Sequence, residues 1–238
     1  MSSPEHSRDH RRGLIIFDLD GTLFRSDCAT VPAVQQVFRA YGLPIPTEEE
    51  IVHYIGPLED EFHRWVRSLC PPHLAEEVLA AVLQREHELL SRSAHLYDGI
   101  DQVLTRLRPA VGAMALCTYA SPRYAHEVLR SHAIADFFDM IRCREAPTDT
   151  KYQMIGEVLQ RLAPRPAIVV GDRAVDIEAA RAHRVAAVGV LYGYGSAEEL
   201  ATADACVRSP AQLPAVLLAL LERADANGVP GCARPMVV

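Results

Sequence analysis

Two aspartates follow the first apolar run of the chain at a spacing that suits a catalytic or metal-binding pair. The run LIIF at residues 14–17 predicts a buried strand, and the letters DLDGT follow it. In an extended segment residues i and i+2 point to the same side, so Asp18 and Asp20 both face the space beyond the strand's carboxyl end. Gly21 permits the turn that follows. A plain Asp-Gly turn is the structural alternative; a calcium-binding EF-hand does not fit, because it needs an entering helix.

A second pair of carboxylates follows another apolar run. Residues 169–176 are VVGDRAVD, so Asp172 ends that run and Asp176 lies four residues further on. A helix N-cap is the alternative interpretation of Asp172. Ligands of open α/β sheets bind beyond the carboxyl ends of the strands. Four carboxylates gathered there would repel one another unless a hard divalent cation lay among them, and an all-oxygen ligand set favours Mg²⁺.

Two further residues suit an anion. Thr118 ends a third apolar run, where a hydroxyl and the free amides of a helix N-terminus can hold a negative group. Strand propensity alone is the alternative explanation for this Thr. Lys151 is the only lysine among the 24 Lys and Arg residues, and it lies at the start of a predicted helix. A cation is mildly unfavourable at that position, so we expect an anion to stabilise it there, although codon bias alone could leave a single Lys.

The composition is typical of a globular protein and excludes several functional classes. The chain has 238 residues, of which 49% are hydrophobic and 23% charged, and a net charge of −7. This charge argues against binding to nucleic-acid backbones, which requires a basic surface. No apolar run approaches the length of a membrane span and residues 1–12 lack the apolar stretch of a signal peptide, so we predict a cytoplasmic protein. The six scattered cysteines disfavour a zinc site.

Alternating strands and helices must position these residues. Beyond residues 14–17, short apolar runs lie at residues 111–117, 138–143, 167–170 and 185–191, each next to a segment of helical periodicity. This alternation predicts an α/β fold, namely a doubly wound, Rossmann-like parallel sheet with helices on both faces.

The first two strands are separated by about ninety residues, far more than a strand-to-helix connection needs. Residues 31–41, 58–69 and 73–92 show helical spacing, so we predict a small helical cap domain inserted into the core. The predicted organisation is a disordered N-terminal tail at 1–12, a core at 13–25 and 98–224, a cap at 26–97 and a C-terminal tail at 225–238.

Taken in order, these motifs resemble those of the haloacid dehalogenase superfamily of phosphohydrolases. The matching pieces are FDLDGTLF at residues 17–24, the run that ends at Thr118, Lys151, and GDRAVD at residues 171–176. The stretch VGVLYGYGS at residues 188–196 resembles the phosphoglycolate phosphatase-like branch, and the helical insertion is similar to the superfamily's type-1 cap. The resemblance covers residues 14–222. Tyr119 is a departure, because relatives usually carry a small polar residue at this position.

The resemblance implies a Mg²⁺-dependent phosphomonoesterase that forms an aspartyl-phosphate intermediate. Asp18 would be the nucleophile, and Asp20 the general acid and then the general base. The implied Mg²⁺ ligands are Asp18, Asp20 through its carbonyl, Asp172 and, in support, Asp176. The implied phosphate-binding positions are Thr118, Tyr119, Lys151 and Gly21.

The cap would set the substrate specificity, and we name Tyr54, Gly56, Phe62 and Trp65 for this role. Packing within the cap is the alternative for the aromatic residues. We expect the partner to be a small phosphate monoester, such as a sugar phosphate, a phosphoglycolate-like acid or a C-ribosyl or nucleoside-like 5′-phosphate, with no nucleic acid or membrane. The chain would be a monomer or weak homodimer.

Several functions stay open. A member resembling pseudouridine 5′-phosphatases, in a bacterial antibiotic pathway, is one hypothesis. A phosphosugar mutase would use the same Asp18 chemistry, and a phospho-ligand binding protein without catalysis is the alternative of another class. A dehalogenase is disfavoured, because Asp20 and the pair of Asp172 and Asp176 suit phosphorus and metal chemistry.

Overall fold

The structure is a computed structural model that describes residues 13–56, 59–90, 95–163, 166–227 and 236–237. The N-terminal tail expected at residues 1–12 lies outside the described residues, and so do Pro57 and Leu58 of the cap turn.

The core is a parallel sheet of seven strands within the described residues. The strands are β1 (Leu14–Phe17), β2 (Ala113–Thr118), β3 (Met140–Cys143), β4 (Ala167–Gly171), β5 (Ala186–Val190), β6 (Ala205–Val207) and β7 (Met236–Val237). They are arranged in the order β3-β2-β1-β4-β5-β6-β7. The predicted doubly wound α/β fold is confirmed, and each of the five predicted apolar runs overlaps one of the first five strands.

The helices of the core and cap alternate with the strands along the chain. They are α1 (Asp27–Ala40), α2 (Glu48–His53), α3 (Glu59–Ser68), α4 (Ala75–Leu90), α5 (Ile100–Leu107), α6 (Pro122–Ser131), α7 (Lys151–Leu162), α8 (Ala174–Ala182) and α9 (Leu213–Asn227). Within the described residues, none of these helices is long and apolar enough to cross a membrane.

Strand β1 shows why its apolar run is unbroken. Its side chains alternate between two hydrophobic clusters: Ile15 and Phe17 pack with residues of α5, α6 and α9, whereas Leu14 and Ile16 pack with residues of α7 and α8. Both faces of the sheet are therefore covered, and every residue of β1 is buried. This burial fixes the end of β1, and with it the position of the following Asp18.

The cap has a hydrophobic core of its own. Helices α1 to α4 contribute the buried side chains of Val34, Phe38, Phe62, Val66 and Val82 to a third cluster, separate from the two clusters of the sheet. Its two connections to the core run side by side, since Arg25 N donates to His95 O at 2.9 Å and Tyr97 N donates to Leu23 O at 3.0 Å.

The C-terminal region differs from the sequence prediction. A tail was expected from residue 225, but α9 continues to Asn227, and Met236 pairs with Ala205 of β6 as part of β7. Strands β6 and β7 have three and two residues, too few for an apolar run to stand out in the sequence.

Candidate active site

Asp18 lies at the carboxyl end of β1, in the centre of the sheet. Its amide donates to Val170 O of β4 at 2.9 Å, so the ladder continues one residue beyond the strand. The chain then turns at Gly21, whose φ is +79°. A Cβ at Gly21 would lie 2.2 Å from Asp172 Oδ2, so only glycine lets the turn approach the neighbouring strand end.

Lys151 is the cation at the centre of the site. Its Nζ donates to Asp18 Oδ1 at 2.6 Å and to Cys117 O at 3.0 Å, and lies 3.0 Å from Asp176 Oδ1. Thr150 caps α7 by accepting from Gln153 N, which sets the start of this helix at Lys151. Burial alone lowers the pKa of Lys151, but the charges of Asp176 and Asp18 outweigh it and raise the pKa well above its usual value.

Asp172 and Asp176 face Asp18 from the end of β4 and the first turn of α8. Asp172 accepts from Thr22 Oγ1 at 3.2 Å and from Tyr194 N at 2.9 Å. Asp176 Oδ2 accepts from Arg173 N at 3.3 Å. Oxygens of Asp18, Asp172 and Asp176 all lie within 4.8 Å of one another.

These three carboxylates repel one another in a buried space. Burial is the main cause that raises the pKa of Asp18, and Asp176 and Asp172 add to it against the attraction of Lys151. Burial, followed by the charge of Asp176, raises the pKa of Asp172 to about 7. Asp176 Oδ1 is buried and accepts no hydrogen bond of acceptable geometry, although it lies near Lys151 Nζ. A buried, all-oxygen and negatively charged donor set of this kind fits a hard divalent cation such as Mg²⁺.

The side chain of Asp20 lies apart from this cluster, against α6. Its Oδ1 accepts from Tyr124 OH at 2.7 Å. Burial raises the pKa of Asp20, and the hydrogen bonds from Tyr124 and Ser26 offset part of that rise. The two aspartates of the DLDGT motif thus have different environments: Asp18 contacts a cation, and Asp20 contacts hydroxyl groups.

The remaining predicted phosphate residues lie at the end of β2. Thr118 is 1% exposed, and its Oγ1 accepts from Ala120 N at 3.0 Å. The hydroxyl of Tyr119 accepts from Lys151 N at 2.7 Å. Tyr119 therefore connects the end of β2 to the start of α7, a contact that a small polar residue could not reach.

A cavity separates this edge of the sheet from the cap. Its empty volume is about 730 Å³, counting the space at its mouth. The cavity is lined by residues of both the core and the cap, namely Asp18, Asp20, Ser26, Thr30, Tyr54, Ile55, Gly56, Phe62, His63, Leu83, Glu86, Thr118, Tyr119, Ala120, Ser121 and Tyr124. Trp65 is not in this lining; it stacks on Tyr54 at 4.7 Å between ring centroids and packs on the cap core.

A guanidinium group links the core to the cap beside the cavity. Arg173, between the two aspartates of the GDRAVD motif, donates from Nη2 to His53 O at 2.9 Å and to Ile55 O at 2.6 Å, at the end of α2. Gly56 has a φ of +96°, and a Cβ there would lie 3.1 Å from Arg173 Nε. Gly56 thus allows the cap loop to approach Arg173, which gives this glycine a structural role as well as a place in the lining.

Sequence reasoning missed Tyr124, Tyr194, Arg173 and Glu86. The signal for the first three was available, because Arg173, Tyr194 and Tyr124 lie two, four and six residues beyond the ends of β4, β5 and β2. Tyr194 OH donates to Asp27 Oδ1 at 3.0 Å and accepts from Asp27 N at 2.9 Å, which joins the loop after β5 to the start of α1. Glu86 has no such signal, since it lies in the middle of a long cap helix.

Comparison with known proteins agrees with this geometry. The family model described as haloacid dehalogenase-like hydrolase matches residues 15–190. The chain is 32% identical over 191 residues to the tyrosine-protein kinase PtkA of Mycobacterium tuberculosis, covering 78% of this chain but only 64% of that protein's length. It is 31% identical over 218 residues to a phosphoglycolate phosphatase of Vibrio vulnificus, covering 86% of this chain and 96% of the relative.

A solved structure shows the same fold. The crystal structure of a predicted phosphoglycolate phosphatase from Haemophilus somnus superposes with a TM-score of 0.77 at 22% identity. The superposition covers 86% of this chain and 97% of that one.

Proposed function

Because the chain belongs to the haloacid dehalogenase-like hydrolase family, we propose that it is a Mg²⁺-dependent phosphomonoesterase of the phosphoglycolate phosphatase-like branch. The single observation that carries this proposal is the position of Asp18. It lines the cavity, it is held by Lys151 at 2.6 Å, and it lies within one cluster with Asp172 and Asp176. A carboxylate that could act as a nucleophile, a cation and a cluster of carboxylates suited to a hard metal ion therefore lie at one end of the cavity, which supports the proposal.

The carboxylates of Asp18, Asp172 and Asp176 would hold Mg²⁺, together with the main-chain carbonyl of Asp20. The ion supplies electrostatic stabilisation, because a phosphate dianion must approach a carboxylate. Lys151 contacts two of the three buried carboxylates, and the charge of Arg173 acts on the third, Asp172. Two positive charges thus face three negative ones, and the chain's own residues leave the site negative.

In the proposed first step, a carboxylate oxygen of Asp18 attacks phosphorus. A bond forms between Asp18 and phosphorus while the bond from phosphorus to the ester oxygen breaks, and Asp20 donates its proton to the leaving oxygen. In the second step, Asp20 removes a proton from a water molecule that attacks phosphorus. Inorganic phosphate leaves, the Asp18 carboxylate is regenerated, and Asp20 holds its proton again.

The environments of the two aspartates support this division of roles. A general acid needs a raised pKa, and burial provides one for Asp20. The Tyr124 hydroxyl holds the Asp20 carboxyl at 2.7 Å on the wall of the cavity, where the leaving group would lie. Burial raises the pKa of Asp18 as well, but Asp18 is bonded to the Lys151 ammonium, which opposes that rise and stabilises the ionised form required of a nucleophile.

Thr118 and Lys151 would hold the transferring phosphoryl group. Both lie at the core end of the site, Thr118 in the lining and Lys151 directly behind Asp18. An ammonium is a compact point charge, whereas a guanidinium is a planar fork that would have to fit between Asp18, Asp176 and Cys117 O. We infer that this packing is why Lys occurs here in an otherwise Arg-rich chain.

A second candidate is transfer of a phosphoryl group from a nucleotide to a protein tyrosine. It is favoured by the 32% identity to PtkA. Chemically it would replace water as the final acceptor of the phosphoryl group, and this requires the cap to exclude water and admit a peptide side chain.

A phosphatase screen tests the proposal. Release of inorganic phosphate is measured from p-nitrophenyl phosphate and a panel of sugar, nucleoside and small-acid phosphates, with and without Mg²⁺, in the full chain and in Asp18→Asn. We expect release that depends on Mg²⁺ and that Asp18→Asn abolishes. Release that persists in Asp18→Asn would refute the proposed nucleophile. Phosphate transfer from labelled ATP to a tyrosine polymer, without release from any ester, would establish the second candidate instead.

A further inference from the structure

The cap wall of the cavity carries a carboxylate that the proposed hydrolysis does not use. Glu86 of α4 lines the cavity together with Thr30 of α1. Thr30 is 4% exposed, and its Oγ1 donates to Glu86 Oε1. The Thr30 contact orients the Glu86 carboxylate, a group that accepts up to about four hydrogen bonds.

Negatively charged side chains outnumber positively charged ones in the cavity lining. The described residues that line it include the carboxylates Asp18, Asp20 and Glu86 but no Lys or Arg. Lys151 lies behind Asp18, and Arg173 directs its guanidinium to the cap carbonyls. An anionic leaving group would therefore meet the like charge of Glu86 at the cap end without a permanent cation in this lining, and such a juxtaposition is costly.

The other titratable side chains near Glu86 in the lining are the phenols of Tyr54 and Tyr124 and the imidazole of His63. Of these, only the imidazole of His63 can become positively charged. It adds positive charge only when protonated, so a test of the charge argument is best made in mildly alkaline solution.

Glu86 belongs to the part of the cavity wall that the cap contributes, whereas Asp18 and Thr118 belong to the part that the core contributes. Burial is the main cause that raises the pKa of Tyr124, and the charges of Asp20 and Glu86 add to it. Glu86 is thus close enough to influence the hydroxyl that holds the proposed general acid, Asp20. Tyr54 and Phe62 add aromatic surface to the same cavity lining.

We propose that the leaving group of the substrate is uncharged and polyhydroxylated, and that it donates a hydroxyl to Glu86 while its carbon face packs on Phe62 and Tyr54. This rests on the proposed phosphomonoesterase function and narrows its substrate class. Esters whose leaving group carries a carboxylate, as phosphoglycolate does, are disfavoured by the same wall.

A matched pair of substrates tests this inference. Glycerol 1-phosphate carries a hydroxymethyl group where 3-phosphoglycerate carries a carboxylate, and the two compounds are otherwise alike. We expect kcat/KM at pH 8 with Mg²⁺ to be at least about tenfold higher for glycerol 1-phosphate, the size of effect expected when a hydrogen bond to a charged group is exchanged for a like-charge contact.

The variant Glu86→Gln sharpens the test, because it removes the charge and keeps the shape and an acceptor oxygen for Thr30. We expect it to reduce the preference for glycerol 1-phosphate by about tenfold. Glu77→Gln on the same helix is the matched control; Glu77 accepts from the exposed Tyr41 hydroxyl and is not in the cavity lining, so the preference should not change.

The outcomes separate the two proposals. Hydrolysis of p-nitrophenyl phosphate that Asp18→Asn abolishes supports the phosphomonoesterase whatever the preference between the pair. A wild-type preference for 3-phosphoglycerate, or a ratio that Glu86→Gln leaves unchanged, overturns the inference about the leaving group alone. The wild-type ratio decides the question even if Glu86→Gln does not fold.

Discussion

The two walls of the cavity are built in different ways. The core wall is formed by Asp18 with Lys151, Asp172 and Asp176 directly behind it; these three are at most 4% exposed, and each is held by partners from a different strand end or helix start. On the cap wall, Tyr54 and Phe62 are held mainly by packing on the cap's own hydrophobic core.

This difference separates chemistry from selectivity. The core wall places charges at fixed distances, since the sheet register determines where each strand ends. The cap wall presents a surface whose shape depends on four helices that pack among themselves. Substitutions on the core wall should therefore change turnover, and substitutions that affect the cap should change substrate binding.

The largest effect is expected for Lys151→Arg on the core wall. The ammonium fits between Asp18 Oδ1, Asp176 Oδ1 and Cys117 O, and Lys151 is 4% exposed, so the larger guanidinium has no room to expand toward solvent. We expect kcat to fall by about 10²–10³-fold, as for loss of one preorganised donor to a transition state. The measurement is steady-state turnover of p-nitrophenyl phosphate with saturating Mg²⁺.

Arg161→Lys at the other end of α7 is the matched control, because Arg161 is exposed and distant from the strand ends. It should leave kcat unchanged. Near-normal turnover in Lys151→Arg would contradict the explanation of why the chain keeps a lysine at this position.

The same difference explains how much could be predicted from the sequence. Asp18, Asp172 and Asp176 were predicted to meet because each follows an apolar run, and parallel strands end at one edge of the sheet. Thr118 also ends an apolar run. Lys151 is placed by a different local signal, the capping box at Thr150 that starts α7. These inferences need only local periodicity and the topology that it implies.

The cap wall could not be predicted in this way. Trp65 and Phe62 share a helix face, but only the packing of helices from distant parts of the chain decides that Phe62 lines the cavity while Trp65 stacks behind Tyr54. The role of Glu86 similarly depends on how α4 lies against Thr30 of α1. Strands β6 and β7, the last two on one side of the sheet, were missed because three and two residues give no periodic signal.

A smaller effect, on stability, is expected for Asp172→Asn. Burial and Asp176 raise the pKa of Asp172 to about 7 in the folded protein, against about 3.9 for an unfolded chain. The folded state then binds more protons, so stability is greatest below pH 4 and is lost as the pH rises through 7. Without Mg²⁺ at pH 8, Asp172→Asn should stabilise the protein by about 2 kcal/mol and raise Tm by roughly 4–8 °C, while abolishing activity.

Thermal unfolding at pH 5 and pH 8, with and without Mg²⁺, checks this prediction. The gain should be smaller at pH 5 and should disappear when Mg²⁺ stabilises the wild type. Asp204→Asn is the control: Asp204 accepts from Ala187 N at 2.8 Å and lies outside the carboxylate cluster. A lower Tm for Asp172→Asn at pH 8 would show that the three carboxylates do not repel one another as inferred.

The smallest effect is expected where the two walls are joined, at Arg173. Its Nη2 donates to His53 O and Ile55 O of the cap, and hydrogen bonds from a charged donor contribute about 1.5–3 kcal/mol. Arg173→Lys keeps the positive charge beside Asp172 but cannot span both carbonyls, so the cap should open more often. A smaller closed population weakens apparent substrate binding in proportion, so we expect KM to rise about tenfold with kcat changed less than threefold.

Limited proteolysis distinguishes cap opening from a direct effect on chemistry. In Arg173→Lys, the paired connections near Arg25 and His95 should be cut faster than in the wild type. Arg181→Lys on the same helix α8 is the control, because Arg181 donates to Thr202 O at 2.9 Å within the core and does not touch the cap. If Arg173→Lys instead lowered kcat at constant KM and left the rate of proteolysis unchanged, Arg173 would act on the chemistry, as the residues of the core wall do. The assignment of turnover to the core wall and of substrate binding to the cap wall would then fail at the residue that joins them.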